Sequence, residues 1–452
     1  MQDAIIIGAG ICGLTAANLL NSKGKKVTLL EKGSAAGGPI QTVRENGYLA
    51  ERGPNSLLLP DPWTESFIST LGLDEELLEA SPLAHKRYIV KNGRPVAVPM
   101  SPLQAVTTPL FSLKAKLGFL AEPFRKPISA KDAETETVAS FVTRRMGPEF
   151  LDYAIDPFVS GVYAGDPNKL LLQHAFPLMR GLERDGNSII RGALKLKKQR
   201  KAEGTSYKKR SISFKAGLEV LPQRLAATLE DSLQLNSEVT SIKRNDDTWT
   251  IHWTKEGKIQ QSQSKNLIIT LPSHAIKQLP WSGDITTELS ATPDLQYPAV
   301  HSLSLGFKQE QIQHALDGFG MLVPSKEANT ILGALFCSSL YSDRAPDGHC
   351  LITVMIGGIR RPDLADKSQD ELTQIALENL QSLIGLKGTP TWSSLSSWPR
   401  AIPQYTADFG PWKSTLQQLE SKNQGLHFGG HAVDGIAMGA CIQSGRRLST
   451  LI

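Results

Sequence analysis

Cysteine is scarce: Cys12, Cys337, Cys350 and Cys441 are the only four in 452 residues, and none is spaced as a CxxC pair. That argues against a disulfide scaffold and against a metal centre, and the four are expected to be reduced and mostly buried, as in a cytoplasmic protein. Long apolar runs are missing as well. No window approaches the roughly 18 uninterrupted apolar residues of a spanning helix, so any membrane contact is expected from one side. Charge is nearly balanced, with 49 Lys and Arg against 44 Asp and Glu for a net +5. This fits scattered solvated lysines or a weak attraction to anionic lipid or an acidic substrate. The one strongly basic tract, 195–209, carries a single aromatic, Tyr207. Nucleic acid is therefore not an expected partner. Like charges repel along that tract and no core forms from it, which predicts a mobile surface loop. Only Met1, Gln2 and Asp3 precede the first apolar run, so no signal or transit peptide is expected. No internal repeat is found.

What is present is a chain long enough for two or three domains, 40% hydrophobic and 21% charged, as in ordinary globular proteins. It is organised around its first 38 residues. Ala4-Ile5-Ile6-Ile7 enters Gly8-Ala9-Gly10-Ile11-Cys12-Gly13, and 14–20 follow a helical pattern, predicting strand, glycine turn and helix. That order opens a nucleotide-binding βαβ fold. Gly8 allows the tight turn, Gly10 lets the backbone approach a pyrophosphate, and Gly13 lets the helix pack close to the strand. A second run, Lys26-Val27-Thr28-Leu29-Leu30, ends in Glu31, whose carboxylate suits two ribose hydroxyls and excludes a 2′-phosphate. A GxGxxG alone is weak evidence, because tight βα turns need glycine for steric reasons. Here the strand, the helix, the acid and a following Gly37-Gly38 pair support it together. The pair favours FAD over NAD, since flavoproteins of the glutathione-reductase and amine-oxidase type carry one beside the diphosphate.

Downstream, 42–51 reads as short strands and Arg52-Gly53-Pro54-Asn55-Ser56 as a turn. Apolar residues at helical spacing cover 61–78, and 85–98 alternates about Asn92-Gly93, a hairpin pattern. The 103–124 segment is apolar but broken by Pro109, Lys114, Lys116 and Pro123. It reads as short amphipathic helices, serving either as core helices of a second domain or as a monotopic membrane face. A helical pattern resumes over 138–158, and a loop follows at 161–167. A helix near 221–229 and strands at 235–242, 248–253 and 266–271 return the chain to its first domain. Strands at 300–307 and 350–358 with a helix in 363–384 belong to a separate sheet. The chain closes with a short strand at 425–431 and a helix over 434–451.

Several stretches together resemble one family, the oxygen-dependent protoporphyrinogen oxidases of haem and chlorophyll synthesis, which are relatives of the flavin monoamine oxidases and of coproporphyrinogen III oxidases. They are Glu51-Arg52-Gly53-Pro54-Asn55-Ser56, Lys86-Arg87-Tyr88-Ile89, Ile155-Asp156-Pro157-Phe158-Val159-Ser160-Gly161 with Gly165-Asp166-Pro167, and Gly318-Phe319-Gly320-Met321-Leu322-Val323-Pro324-Ser325-Lys326-Glu327. Leu332-Gly333-Ala334-Leu335-Phe336, Asp343-Arg344-Ala345-Pro346 and Cys441-Ile442-Gln443-Ser444-Gly445-Arg446 complete the set. The resemblance runs end to end. It implies an α/β architecture in three parts: an FAD-binding Rossmann-like domain from 1–84, 211–274 and 390–452, a mixed-sheet substrate domain over 275–389, and a helical membrane-associating domain over 85–210.

The same resemblance implies that Gly8, Gly10, Gly13, Glu31, Lys32, Gly37 and Gly38 hold the ADP half of FAD. Val239 is expected to present its backbone to the adenine and Pro54 and Asn55 to lie near the flavin, while Trp398, Gly430, Ile436, Ala437 and Met438 complete the cofactor site. On the substrate side it implies Arg87 paired with a propionate, for which a planar guanidinium offers two parallel charged bonds. Leu322, Leu335 and Met355 are implied against the tetrapyrrole faces, positions that plain core packing also explains. The Gly161 carbonyl is implied near a pyrrole nitrogen. Two departures stand out: Pro39 replaces the Lys or Arg that relatives often place after the Gly-Gly pair, and Met355 replaces the Phe of plant-type members, a more flexible wall.

The implied reaction takes six electrons from protoporphyrinogen IX to give protoporphyrin IX, with O2 as acceptor and H2O2 as product. The flavin performs the redox chemistry, and no side chain is assigned a catalytic proton transfer. Coproporphyrinogen III oxidation to coproporphyrin III is the alternative within the family. A non-catalytic FAD-containing membrane or protein-binding module is the alternative outside it. The expected location is cytoplasmic, peripheral on the inner face of the membrane, and a homodimer stays open beside a monomer.

Overall fold

A computed structural model describes residues 1–202 and 207–452. Ala4–Ile7, buried throughout, is the central strand of a five-stranded sheet among these residues. Val27–Leu30 and Leu267–Ile269 flank it, Leu233–Gln234 and Leu426–Phe428 lie at the edges, and each pairing is parallel. Continuous aliphatic runs suit strands covered on both faces. Ala4 and Ile6 accordingly enter a core with the Ile11–Ser22 and Met438–Ser449 helices, while Ile5 and Ile7 enter another built on Trp249 and Trp412. The two helices meet closely, and a Cβ on Gly445 would stand 2.6 Å from the Cys12 carbonyl oxygen.

A second sheet has seven strands in the order Trp392–Trp398, Val300–Lys308, His349–Gly357, Ile331–Phe336, Gly318–Leu322, Lys86–Lys91, Arg94–Ala97. Its pairings are antiparallel except that between Gly318–Leu322 and Lys86–Lys91. The sheet thus draws its last two strands from the 85–210 segment and one from 390–452, so it does not follow the three-part division by sequence. The hairpin belongs there because Tyr88 and Val90 alternate into the apolar layer beneath the sheet. In that layer Leu303, Leu305, Phe307, Ile352, Val354 and Ile356 pack on the Gln369–Ile384 helix.

Several local expectations are corrected. The helix begun at Pro62–Thr70 stops before Gly72, which sits at φ +68°, and Leu77–Glu79 is instead a strand beside Ser211–Phe214. Gly161 lies not in a loop but in the Asp156–Tyr163 helix, which Pro157 starts and which ends at Ala164 in the left-handed region. Its buried Val159 and Tyr163 hold it to the core. The basic tract is helical through Ala202, in Ile189–Ala202, because that helix docks on Pro177–Gly186 through glycine. A Cβ on Gly192 would lie 2.1 Å from the Leu182 carbonyl oxygen. The rest of the expected loop includes 203–206, which lie outside the described residues. The closing helix starts at Met438 rather than at 434, and the strand Lys258–Ser264, all polar but for Ile259, was not foreseen.

The helices Pro102–Thr107 and Leu113–Leu120 bury none of their residues, so they are not core helices. All four cysteines are free and buried. Among the described residues no helix is long and apolar enough to cross a membrane, and no cluster of His, Cys, Asp and Glu could hold a metal ion.

Candidate cofactor and substrate site

The glycine turn after Ala4–Ile7 has the geometry its spacing predicts. Gly8 has φ +106°, and a Cβ on Gly13 would stand 2.0 Å from the Gly8 carbonyl oxygen, so the helix can pack this closely only without a side chain there. A Cβ on Gly10, by contrast, meets nothing within 4 Å, so this backbone faces open space. The Gly37 N–H donates to the Ala9 carbonyl (2.8 Å), which brings the Gly37-Gly38 turn beside Gly10. Glu31 braces the turn, its Oε2 accepting from the Ala9 N–H (2.9 Å) and its Oε1 from the Gly33 N–H (2.8 Å). A carboxylate has lone pairs left for further donors. Lys32 turns outward to an exposed ion pair with Glu238 (2.7 Å). Backbone bonds from Asn236 to Gly33 (3.0 Å) and from Ser237 to Glu31 (2.8 Å) hold the start of Glu238–Asn245, with Val239 at its register break, next to the acid.

Gly430, at φ +88°, comes to the same turn from the far end of the chain. Its N–H donates to Ser444 Oγ (2.8 Å), and a Cβ there would be 3.7 Å from Cys12 Cβ. Ile436 and Ala437 lead into the helix that Met438 begins. Neither the Ile11–Ser22 helix nor the Met438–Ser449 helix has a side-chain cap at its N-terminus. Two sets of unspent N–H groups and an open glycine backbone suit an anionic dinucleotide. The residues present therefore fit the ADP half of FAD.

The 52–56 turn lies against this cradle, since a Cβ on Gly53 would be 2.1 Å from the Pro39 carbonyl oxygen. Pro39 thus supplies close backbone packing where a cation was the familiar choice. The Arg52 carbonyl accepts from Trp398 Nε1 (2.8 Å), and Arg52 Nε donates to Ser396 Oγ (3.1 Å). Asn55 Nδ2 donates to the Gly53 carbonyl (3.2 Å), and Pro54 stands between them. The Cys337 thiol donates to Thr353 Oγ1 (3.2 Å), and burial pushes its pKa up, so it is a neutral thiol.

The substrate-side positions come together on the face of the seven-stranded sheet turned away from the Gln369–Ile384 helix. Leu322 pairs in register with Ile89 and Gly333, Gly333 with Met355, and Leu335 with Thr353. Leu322, Leu335 and Met355 therefore share one face on three adjacent strands, and Arg87, two residues before Ile89, faces the same way on the fourth. All three apolar side chains are half-buried. The Asp156–Tyr163 helix packs against Leu322, and a Cβ on Gly161 would be 2.4 Å from Leu322 Cδ2. Arg87 is exposed, its guanidinium 5.3 Å from the centre of the Phe319 ring.

The pair that fixes this helix was not foreseen from the sequence. Asp156, buried, accepts from Arg360 (2.7 Å) and from the Ser325 N–H (2.8 Å), and Arg360 also donates to Ser160 Oγ (2.8 Å).

Residues 11–452 match a family model described as flavin containing amine oxidoreductase. Protoporphyrinogen oxidase 2, chloroplastic/mitochondrial, of Arabidopsis thaliana is 33% identical, over 99% of this chain and 93% of its own length. Coproporphyrinogen III oxidase of Bacillus subtilis is 26% identical, over 98% of this chain and 96% of its own. In fold, a crystal structure from Exiguobacterium is similar with a TM-score of 0.80 at 22% identity, covering 99% and 97% of the two chains. Reduced UDP-galactopyranose mutase follows the same fold with a TM-score of 0.73 at 15% identity, covering 99% and 95%.

Proposed function

The chain belongs to the flavin-containing amine oxidoreductases, and from that premise we propose that this FAD-dependent enzyme oxidises protoporphyrinogen IX to protoporphyrin IX with O2 as acceptor, releasing H2O2. The observation that carries the reading is the wall itself: Arg87, Leu322, Leu335 and Met355 on four adjacent strands, under a helix that presents Gly161. A largely apolar macrocycle with carboxylate arms needs a wall of this kind, with one cation at its rim.

FAD, when bound, supplies the hydride-accepting chemistry, and the protein supplies position, shape and charge. Gly8, Gly10, Gly13, Gly37 and Gly38 cradle the diphosphate, and Glu31 takes the ribose hydroxyls. Lys32 acts through its backbone and its pairing with Glu238, beside the Val239 backbone at the adenine. Pro54, Asn55, Trp398, Gly430, Ile436, Ala437 and Met438 enclose the flavin end. Gly161 lies in the last turn of its helix, where carbonyls lack intrahelical donors, and so accepts from a pyrrole N–H. Arg87 takes a propionate. Arg360 and Arg361 are held by Asp156 and Asp363, each at 2.7 Å, so both are already paired within the protein.

We also propose that the protein rests on a membrane, cytoplasmic and peripheral on the inner face. Leu103, Val106, Leu113, Leu117, Leu120 and Phe124 are all exposed. Arg191 of the basic Ile189–Ala202 helix lies 6.0 Å from the Phe124 ring centre, so cations border the apolar patch, as an anionic bilayer surface requires.

The deciding experiment is aerobic turnover of protoporphyrinogen IX and coproporphyrinogen III by the FAD-loaded protein, read as porphyrin fluorescence with H2O2 measured in parallel. Faster protoporphyrin formation is expected. Preference for the other substrate would reassign the enzyme within its family, and no porphyrin from either would leave a non-catalytic flavoprotein.

A further inference from the structure

The wall-bearing face of the seven-stranded sheet carries a row of hydroxyls. In register, Ser302 stands opposite Met355 on one side and Ser396 on the other, and Ser304 opposite Thr353 and Ser394. Most of this row is committed. Ser304 and Thr353 share a bond (2.9 Å), Cys337 reaches Thr353, and Arg52 holds Ser396. Ser302 differs. It is 3% exposed, and among the described residues its Oγ has no hydrogen-bond partner.

Packing does not account for a hydroxyl here. The strand's core-facing side chains point the other way: Leu303 and Leu305 enter the layer over Gln369–Ile384, and His301 is bonded to Ser397 Oγ and the Leu364 carbonyl, each at 2.9 Å. A dry, unpartnered hydroxyl is costly unless something outside the protein meets it, and valine or alanine would fill the position at no such cost. Its flanks identify what that partner is. Ser396, across the strand, is tied to Arg52, whose carbonyl holds Trp398 and whose loop carries Asn55. Met355, on the other side, belongs to the substrate wall. Ser302 sits where the cofactor loop and the substrate wall converge, which is where a flavin ring must meet its hydride donor.

We propose that the Ser302 hydroxyl is a hydrogen-bonding group for the isoalloxazine ring of the bound flavin, directly or through one water. A hydroxyl donates and accepts. Donation to a ring nitrogen or oxygen that gains electron density on reduction stabilises the reduced state more than the oxidised one, and a water bridge transmits the same preference. The proposal rests on FAD binding but not on the identity of the substrate.

The test uses FAD-loaded wild type, Ser302→Ala, Ser302→Thr and Ser304→Ala, without any porphyrinogen. The readouts are the visible flavin spectrum and the midpoint potential by equilibration with a reference dye under anaerobic conditions. Ser302→Ala should shift the visible band and lower the potential, and Ser302→Thr should restore both. Ser304→Ala, whose hydroxyl is satisfied within the protein, should leave both unchanged. A Ser302→Ala spectrum and potential equal to wild type would overturn the assignment. So would equal shifts in Ser302→Ala and Ser304→Ala, which mark a general disturbance of the sheet. Because substrate never enters, failure here is separable from failure of the porphyrinogen reading.

Discussion

Arg87→Ala gives a quantitative test of the substrate wall. The guanidinium is exposed and steadied by the Phe319 ring, while Lys86 is committed to Asp317 and Lys91 to Glu149, so neither other cation on that strand is free to take its place. A charged hydrogen bond is worth roughly 1.5–3 kcal/mol where it is well sheltered. Exposure at the rim of the wall cuts this, and about 1–2 kcal/mol is the appropriate figure for one propionate pair. At ~1.4 kcal/mol per tenfold, KM for protoporphyrinogen should rise roughly 5- to 30-fold. kcat should stay close to wild type, because a remote carboxylate contact is equal in ground and transition states. Arg87→Lys keeps the charge but loses the fork and the flat contact with Phe319, so it should recover part of the loss. The assay is steady-state porphyrin fluorescence on variants with wild-type FAD content. An Arg87→Ala enzyme with unchanged KM would refute the placement of the propionate.

Glu31→Ala removes the acceptor of two backbone N–H groups and, on the proposed reading, of the ribose hydroxyls, and FAD should bind more weakly by about 1–3 kcal/mol in fluorescence titration of the apoprotein. Unchanged affinity would count against the ribose assignment. Burial, with His274 nearby, lowers the His431 pKa from its ordinary 6.5 to about 4. The unfolded chain then takes up a proton that the folded chain refuses, so stability is unaffected by this group above pH 6.5 and falls as pH drops from 6.5 toward 4. The full effect is about 3 kcal/mol at ~1.4 kcal/mol per unit. His431→Gln should flatten the acid side of a Tm against pH profile, and an identical profile would dismiss the histidine as its cause. Leu103→Asp combined with Phe124→Asp should abolish sedimentation with anionic liposomes that persists at high salt in the wild type. A wild-type protein that never sediments with anionic or neutral vesicles leaves the apolar patch without this role.

The cofactor turn was legible because its requirements are local. Gly8, Gly13 and Gly37 are demanded by backbone geometry within a few residues, and Glu31 follows at the end of the next strand. The substrate wall was less so. The hairpin at Lys86–Lys91 could be recognised from alternation about Asn92-Gly93, but its parallel partner, Gly318–Leu322, is more than two hundred residues away, and alternation does not name a partner. Gly161 looked like a breaker because glycine is usually absent from helices. In place it is required by a tertiary contact, the approach of Leu322 to the helix. The basic tract was read from charge repulsion alone, which docking on Pro177–Gly186 overrides as far as Ala202. Ser302 and Ser304 show the remaining gap: a polar face on a strand is readable, but whether it meets water, a neighbouring hydroxyl or a ligand depends on what lies across it.

The order of strands in the parallel sheet bears on how the protein is made. The strand Ala4–Ile7 is made well before its neighbour Leu267–Ile269, and Leu426–Phe428 with the Met438–Ser449 helix is made later still. Until that last helix is synthesised, the Ile11–Ser22 helix lacks the partner that covers it and the glycine turn lacks Gly430 on its other side. Ribosome-bound chains therefore carry an incomplete flavin site, and the edge of Leu267–Ile269, once made, stays open until Leu426–Phe428 follows, a long exposure for an apolar strand. Cofactor capture must therefore wait for the Met438–Ser449 helix, so deleting that helix should cost the flavin as completely as deleting the glycine turn at 8–13.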